Sequence, residues 1–366
     1  MRSMTDRVHQ VQLGDRKTVL ETTLHRLRTR DGVDISLSRL EKANAKASVL
    51  LVHGLTTSSD MFLMPEHYNL TAYLHDHGYD VWVADFRMSN HYAYNTRSAY
   101  NFDDIAAFDY PSIVECIRGH IRDRPLHAIC HCLGSVTFHA SLYGRQITGI
   151  QSVISNSVSL TPRVTAWQVV KLLVAPYVVE KLLGLRFLDP AWGLANRRRT
   201  PWIGRALAKL VGYVHLECQS EVCNLLSFVW GNGSPGLFVH ANMARTTHER
   251  LAGLFGPVAM PYFRHVRKCV LSDETLVRYG DDLALPQRYL DNVGEVQVPT
   301  LLVSGSENHV FPGSNRLTAE RIAAKRVPGY WYREIRGYGH QDVFMGKNCA
   351  EDVFPIFLEH LEKHTP

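Results

Sequence analysis

Two stretches near the start, Thr23–Thr29 and Val33–Leu40, alternate apolar and polar residues, and Asp31-Gly32 lies between them. Alternation with period two predicts strands buried on one face, and an Asp-Gly pair between two such runs predicts a hairpin. The pattern then changes. Ser48–Val52 is a continuous apolar run, as expected of a strand covered on both faces, and it ends in His53-Gly54-Leu55. Helical spacing over Glu66–His77 stops at Gly78, and Asp80–Phe86 reads as another buried strand. Phe102–Ile121 has apolar residues at helical spacing, with Asp103 and Asp104 in the first turn, where they complement the helix dipole. Leu126–Cys130 predicts a strand, Val136–Tyr143 a helix and Ile150–Ile154 the next strand.

From about Leu160 the rhythm is lost. Well over a hundred residues are helical or irregular, rich in aromatics and without a clear strand. Val298-Pro299-Thr300 then introduces the apolar run L-L-V-S-G. A helix is predicted over Ser314–Lys325 and a strand over Tyr330–Ile335, which leads into Gly337-Tyr338-Gly339-His340. A final helix covers Cys349–Lys363. Strands that alternate with helices predict a mostly parallel sheet covered on both faces. Ligands of such sheets bind at the C-terminal edge, where the strand-poor block would lie.

The stretch L-H-A-I-C-H-C-L-G-S at 126–135 runs from strand through a polar, small-residue turn into helix. A nucleophile elbow is built this way, usually as G-x-S-x-G. Here the five positions hold Cys130, His131, Cys132, Leu133 and Gly134, so a thiol stands where a hydroxyl is usual. Cys130 replaces the first glycine and is small enough for close strand–helix packing. Cys132 at a helix N-terminus, beside a histidine, is expected to ionise more readily than a free thiol. His340, in a glycine-flanked loop after the last strand, is the candidate base, with His309 as fallback. His131 is expected to point away from the reacting face. Asn308 holds the place of the acid that normally orients the base. An amide can fix a neutral imidazole tautomer but cannot stabilise an imidazolium by charge. Glu307 is the alternative orienter. Backbone N–H groups of Leu55 and Leu133 are the expected oxyanion donors. The chain order predicts an α/β-hydrolase fold with a core of residues 1–159 and 297–366 and a large, mainly helical cap of residues 160–296.

Composition narrows the field. The 366 residues are 45% hydrophobic and 20% charged, ordinary values for a globular protein, and the net charge of +5 argues for no nucleic-acid partner. Arg197-Arg198-Arg199, the densest basic run, reads as a solvated face. The first residues lack the apolar region of a signal peptide. No stretch approaches the roughly 20 apolar residues of a membrane span. Trp167–Leu185 comes nearest and is broken by Lys171, Pro176, Glu180 and Lys181. The seven cysteines show no metal-ligand spacing. Cys218 and Cys223 are close enough to raise a disulfide, against which stand the odd total and the missing export signal. The expectation is a cytoplasmic protein with mostly buried thiols, no metal and no cofactor.

From His53 to Tyr143 the chain resembles acid lipases of the gastric and lysosomal type, through L-V-H-G-L at 51–55, H-G-Y-D-V-W at 77–82 and N-F-D-D-I-A-A-F-D-Y-P at 101–111. It is more similar still to the hydrolase-like segment associated with cholesterol-oxidase-like flavin oxidoreductases. That resemblance rests on A-I-C-H-C-L-G-S at 128–135, the C-x4-C of 218–223, N-M-A-R-T-T-H at 242–248 and G-Y-G-H-Q-D-V-F-M-G-K-N at 337–348. No G-x-G-x-x-G follows a strand, so it implies the hydrolase half alone. It also implies the pairing of Cys132 with His340 and the Asn at 308. Acid lipases carry Ser and Asp at those places. Two other thiol relatives of the fold, dienelactone hydrolases and polyhydroxyalkanoate synthases, open lactones and move acyl groups from coenzyme A.

Together these readings predict hydrolysis of an ester, thioester or lactone of a small hydrophobic acyl substrate, free or bound to a carrier or coenzyme A, through a Cys132 thioester. Transfer to a non-water acceptor is the alternative, and a non-catalytic binding protein the second.

Overall fold

The computed structural model describes the chain apart from residues 1–4, 14–15, 97–98, 195–199, 215–216, 232, 235 and 281–284. The arginine run at 197–199 therefore lies outside the described residues. Nine strands form one sheet: β1 (Thr5–Leu13), β2 (Arg16–Arg28), β3 (Asp34–Leu40), β4 (Ala47–Val52), β5 (Tyr79–Asp85), β6 (Leu126–His131), β7 (Ser152–Asn156), β10 (Thr300–Gly305) and β11 (Tyr330–Ile335), in the order β1-β2-β3-β5-β4-β6-β7-β10-β11. β1 pairs antiparallel with β2, β2 with β3 and β3 with β5. From β5 to β11 every pairing is parallel.

The continuous apolar runs become the parallel centre, as both-face burial requires. Every residue of β4, β5, β6 and β7 is buried. The alternating hairpin becomes β2 and β3 at the edge. β1 was not anticipated. Its alternation carries one-sided burial at most, since Val11 is buried while Val8 is 64% exposed.

Helices form at the predicted places, with boundaries set by caps. α1 (Leu70–Asp76) starts four residues later than its pattern, because Asn69 Oδ1 accepts the Ala72 N–H at 3.0 Å and fixes the N-terminus. A helical run from Phe102 widens by one residue over Ile105–Asp109 and continues as α2 (Tyr110–Ile121). Pro111 at the start of α2 has no N–H, so it is tolerated there. α3 (Leu133–Tyr143) follows the elbow and is buried throughout.

Between β7 and β10 lie α4 (Ala166–Tyr177), α5 (Trp202–Val214), α6 (Glu221–Trp230), α7 (Met260–Val270) and shorter turns. This segment does contain strands, contrary to expectation. β8 (Phe187–Leu188) and β9 (Val258–Ala259) pair antiparallel over two residues each, too short to leave a pattern in the sequence. α4 packs against α7 and α5 against α6. α8 (Ser314–Ala324) and α9 (Phe354–Lys363) complete the layers. Among the described residues no helix is long and apolar enough to cross a membrane.

Candidate active site

Parallel strands bring their C-terminal ends to one edge, and five strand ends meet there. β6 delivers Cys132, β4 Leu55, β7 Ser157, β10 Asn308 and β11 His340. Cys132 has φ 52° and ψ −120°, a sparsely populated conformation for a residue with a Cβ. The turn is held by its surroundings. The Cys132 N–H and the Ser135 hydroxyl donate to the Asn156 carbonyl at 2.9 and 3.1 Å. Gly134 is required, because a Cβ there would lie 2.2 Å from the His53 carbonyl oxygen. At Gly54 a Cβ would meet His131 Cδ2 at 2.9 Å and Cys132 Cβ at 3.1 Å. The two turns thus approach each other closely enough for backbone N–H groups of both to face one sulfur. The Leu55 and Leu133 N–H groups face Cys132 Sγ and pull its pKa down.

His340 Nδ1 lies 3.2 Å from Asn308 Oδ1. The Asn308 amide orientation is fixed independently. Its oxygen accepts the Val310 N–H at 3.0 Å, and its NH2 donates to Ser157 Oγ at 3.0 Å and Ser304 Oγ at 3.3 Å. Facing an oxygen, Nδ1 carries the proton, and Nε2 is left as acceptor. A His340 nitrogen, a His131 nitrogen and Cys132 Sγ all lie within 4.8 Å of one another. Glu307 is exposed and accepts from the Ser306 hydroxyl, so Asn308 is the residue that meets the imidazole.

Two expectations are corrected. The thiol is not acidified. Burial pushes Cys132 up to about 11, against the smaller opposing pull of the Leu55 and Leu133 N–H groups. His340, 2% exposed, is pushed down to about 3 by burial. The resting pair is a neutral thiol and a neutral imidazole. His131, expected to point away, packs against His340 with ring centroids 4.8 Å apart. Asn156 Nδ2 donates to His131 Nδ1 at 2.9 Å, and the Nε2–H of the same ring donates to Gln341 Oε1 at 3.1 Å. Burial holds this ring neutral as well. Strand alternation turned it to the opposite face from Cys130, and the loop after β11 folds over that face.

Residues missed in the sequence support that loop. Asp342 accepts the Gly339 N–H at 2.9 Å, and the N–H groups of His340 and Gln341 donate to the Leu237 carbonyl at 2.9 and 3.3 Å. Asp342 lies in the G-Y-G-H-Q-D motif, whose glycines gave the only local signal.

Cys132 is half-buried beside a cavity of about 30 Å³. This cavity shares Tyr262, Val266 and Phe311 with a larger apolar one of about 330 Å³, which is bounded by Leu55 and by residues of α4 and α7. Among the described residues one cation borders it. Lys171 Nζ donates to the carbonyls of Phe228 and Gly231 at 2.6 and 2.5 Å, and burial lowers it to about 8.

All seven cysteines are free thiols, and Cys218 and Cys223 come together with His240 and His248.

A strand–turn–helix elbow at the C-terminal edge of this sheet defines an α/β hydrolase. The chain matches the alpha/beta hydrolase family over residues 49–353 and belongs to it. It is 22% identical to mouse lipase member K over 366 aligned residues, which cover 93% of this chain and 87% of that one. It is 30% identical to a probable lipase of Schizosaccharomyces pombe, over 92% of this chain and 74% of the relative. An esterase of Pyrococcus furiosus superposes with a TM-score of 0.53 at 15% identity, over 95% of this chain and 92% of its own, a likeness of fold.

Proposed function

We propose that the protein is an acyl-group hydrolase that cleaves an ester, thioester or lactone of a hydrophobic substrate through a Cys132 thioester. One observation carries this reading. A single sulfur on a strained turn is faced by two backbone N–H groups, clusters with an imidazole whose Nδ1 meets the Asn308 oxygen, and borders an apolar cavity. The lipases among its relatives support an ester bond.

Cys132 Sγ attacks the acyl carbon while its proton passes to His340 Nε2. Because both partners start neutral, charge develops during the attack and not before it. The new oxyanion takes the Leu55 and Leu133 N–H groups. Asn308 keeps the Nδ1 proton directed and the ring in place. His340 returns the proton to the leaving oxygen or sulfur, the bond from that atom to the acyl carbon breaks, and the thioester remains. Water then gives a proton to His340 and its oxygen to the acyl carbon. The C–S bond breaks and the sulfur regains its proton. The acyl chain lies in the larger cavity, with residues 160–296 as its cap.

Burial of His340 favours a second reading, transfer to a non-water acceptor, because water reaches the base with difficulty.

Intact-mass spectrometry after incubation with acyl esters, lactones and acyl-coenzyme A thioesters tests both. The expected result is an acyl increment that Cys132→Ala abolishes and that decays in water. An increment that persists until an alcohol, amine or thiol is added selects transfer. No increment and no turnover would leave a binding protein and overturn the proposal.

A further inference from the structure

The four-residue cluster far from Cys132 in sequence has the chemistry of a metal site. Cys218 precedes α6, Cys223 lies in its first turn, His240 sits in a short turn of helix at His240–Asn242 and His248 in the helix Arg245–Glu249. Cys218 Sγ is 3.4 Å from His248 Nε2, and Cys223 Sγ is 3.4 Å from His240 Nε2. All four donor atoms lie within 4.8 Å of one another.

We infer that Cys218, Cys223, His240 and His248 bind one zinc ion as a closed, structural tetrahedral site. Bond lengths of about 2.3 Å to sulfur and about 2.0 Å to nitrogen place tetrahedral ligands about 3.3–3.8 Å apart. The two sulfur–nitrogen separations already have that value, and the widest pair needs to close by about 1 Å. Two thiolates with two imidazoles select zinc among the common divalent ions. A partner in the outer shell is also in place. Glu217 Oε1 lies 3.4 Å from His240 Nδ1, so the carboxylate orients the ring with Nε2 towards the ion. Glu217 is itself held, because its other oxygen accepts the Gly236 N–H at 2.9 Å. The Ser220 N–H donates to Cys218 Sγ at 3.4 Å, as thiolate ligands require. Cys223 is buried and the other three are half-buried, which leaves a path for the ion to enter. Four protein ligands leave no open position, so the ion takes no part in chemistry.

The site stiffens the segment on which the His340 loop rests. Leu237, three residues before His240, accepts from the His340 and Gln341 N–H groups. Asn242, two residues after it, donates to the Gly337 carbonyl at 2.8 Å and to Asp342 at 2.7 Å, and its carbonyl accepts the Lys347 N–H at 2.8 Å. Binding of the ion joins α6 to this strap. The inference does not depend on the role of Cys132.

The test is metal analysis of the tag-free full chain, purified without chelator, by inductively coupled plasma mass spectrometry. The expected content is one zinc per chain in the native protein and in Cys132→Ala, and none in Cys218→Ser/Cys223→Ser. Because that double variant can fail to fold, the native chain stripped with chelator is also titrated with Co2+. Thiolate-to-cobalt charge transfer and tetrahedral d–d bands saturating at one equivalent are expected, together with a thermal midpoint restored by Zn2+. A native chain with neither zinc nor a cobalt spectrum overturns the inference. So does zinc that disappears in Cys132→Ala, which would place it with His131 and His340, and so does a Cys218–Cys223 disulfide in the purified protein.

Discussion

Replacing Asn308 by aspartate probes the charge state of the Cys132–His340 pair. His340 is held at about 3 and Cys132 at about 11, so the thiolate–imidazolium form is almost unpopulated. The two groups are close enough to titrate as a unit. Asn308 Oδ1 is 3.2 Å from His340 Nδ1, which puts an aspartate charge about 5 Å from the centre of the imidazolium. At an effective dielectric of about 20 that attraction is about 3 kcal/mol, or about two pKa units. The same charge repels the more distant thiolate, so the ion pair should gain about 10- to 100-fold. The new carboxylate would not be stranded. The Val310 N–H already donates there, and the Ser157 and Ser304 hydroxyls, which now accept from the amide, can turn to donate. The assay is carbamidomethylation of Cys132 by iodoacetamide at pH 7, followed by intact mass. Native protein should react more slowly than a free cysteine, and Asn308→Asp about 10- to 100-fold faster than native, with the circular dichroism spectrum unchanged. A folded variant that reacts no faster would refute the argument that an uncharged orienter keeps the pair neutral.

Two further outcomes follow from burial. His53, His139 and His340 are buried and neutral, lowered to about 4, 3 and 3. Below about pH 6.5 the unfolded chain binds protons at these positions that the native chain refuses. Their stabilising effect is therefore complete above about pH 6.5 and is lost as the pH falls towards 4. The loss at pH 5.5 is about 1.4 kcal/mol for each, roughly 4 kcal/mol together. His127 and His360, lowered by burial to about 4 and 3, and the buried His131 add to this loss, and His91, raised to about 10 by Asp60 and Asp85, opposes it. Urea unfolding at pH 7.5 and 5.5 reads the sum, and equal stabilities would mean that the buried rings are protonated in the fold. Val266→Trp would add bulk where the linings of the two cavities overlap. It should lower kcat/KM at least 10-fold for long-chain acyl substrates and change that for acetyl esters by less than 3-fold, read from a chain-length series. A uniform loss over the series would place the chain elsewhere.

Much of the site was legible because each of its parts ends a strand. An apolar run shows where a buried parallel strand stops, and all such ends share one edge. That reasoning places Leu55, Cys132, Asn308 and His340 together from sequence alone, and their order along the chain supplies the fold. What was not legible depends on chain folded back from elsewhere. The motif around Cys132, a helix start beside a histidine, argues for an acidic thiol. The residues that desolvate it, such as Tyr262 and Phe311, come from α7 and from the loop before α8, and they reverse the sign. The position of His131 depends on the path of the loop after β11. The cysteine–histidine cluster escaped because its spacings, C-x4-C and H-x7-H separated by sixteen residues, match no common pattern. Only the packing of α6 against the strap closes it.

Cysteine with asparagine is a coherent pair in these surroundings. An aspartate at 308 would draw a proton onto His340 and charge the pair at rest, whereas none of the groups that Asn308 now touches is charged. The amide is instead satisfied at every position: its oxygen by the His340 ring and the Val310 N–H, its NH2 by two serine hydroxyls. The result is a cluster with no formal charge at rest, enclosed in apolar surroundings where each dipole acts strongly. A serine in the same place would ask the uncharged orienter to support an imidazolium opposite a poorer nucleophile. A sulfur makes a smaller demand, because it leaves and attacks more readily as an anion. On the proposed mechanism, positioning then replaces charge as the source of rate. The base must be held where its tautomer faces the thiol, and that duty falls on Asn308 from β10 and on the Leu237–Asn242 strap. A site that relies on placement needs a rigid strap, which is what four ligands closed around one ion would provide.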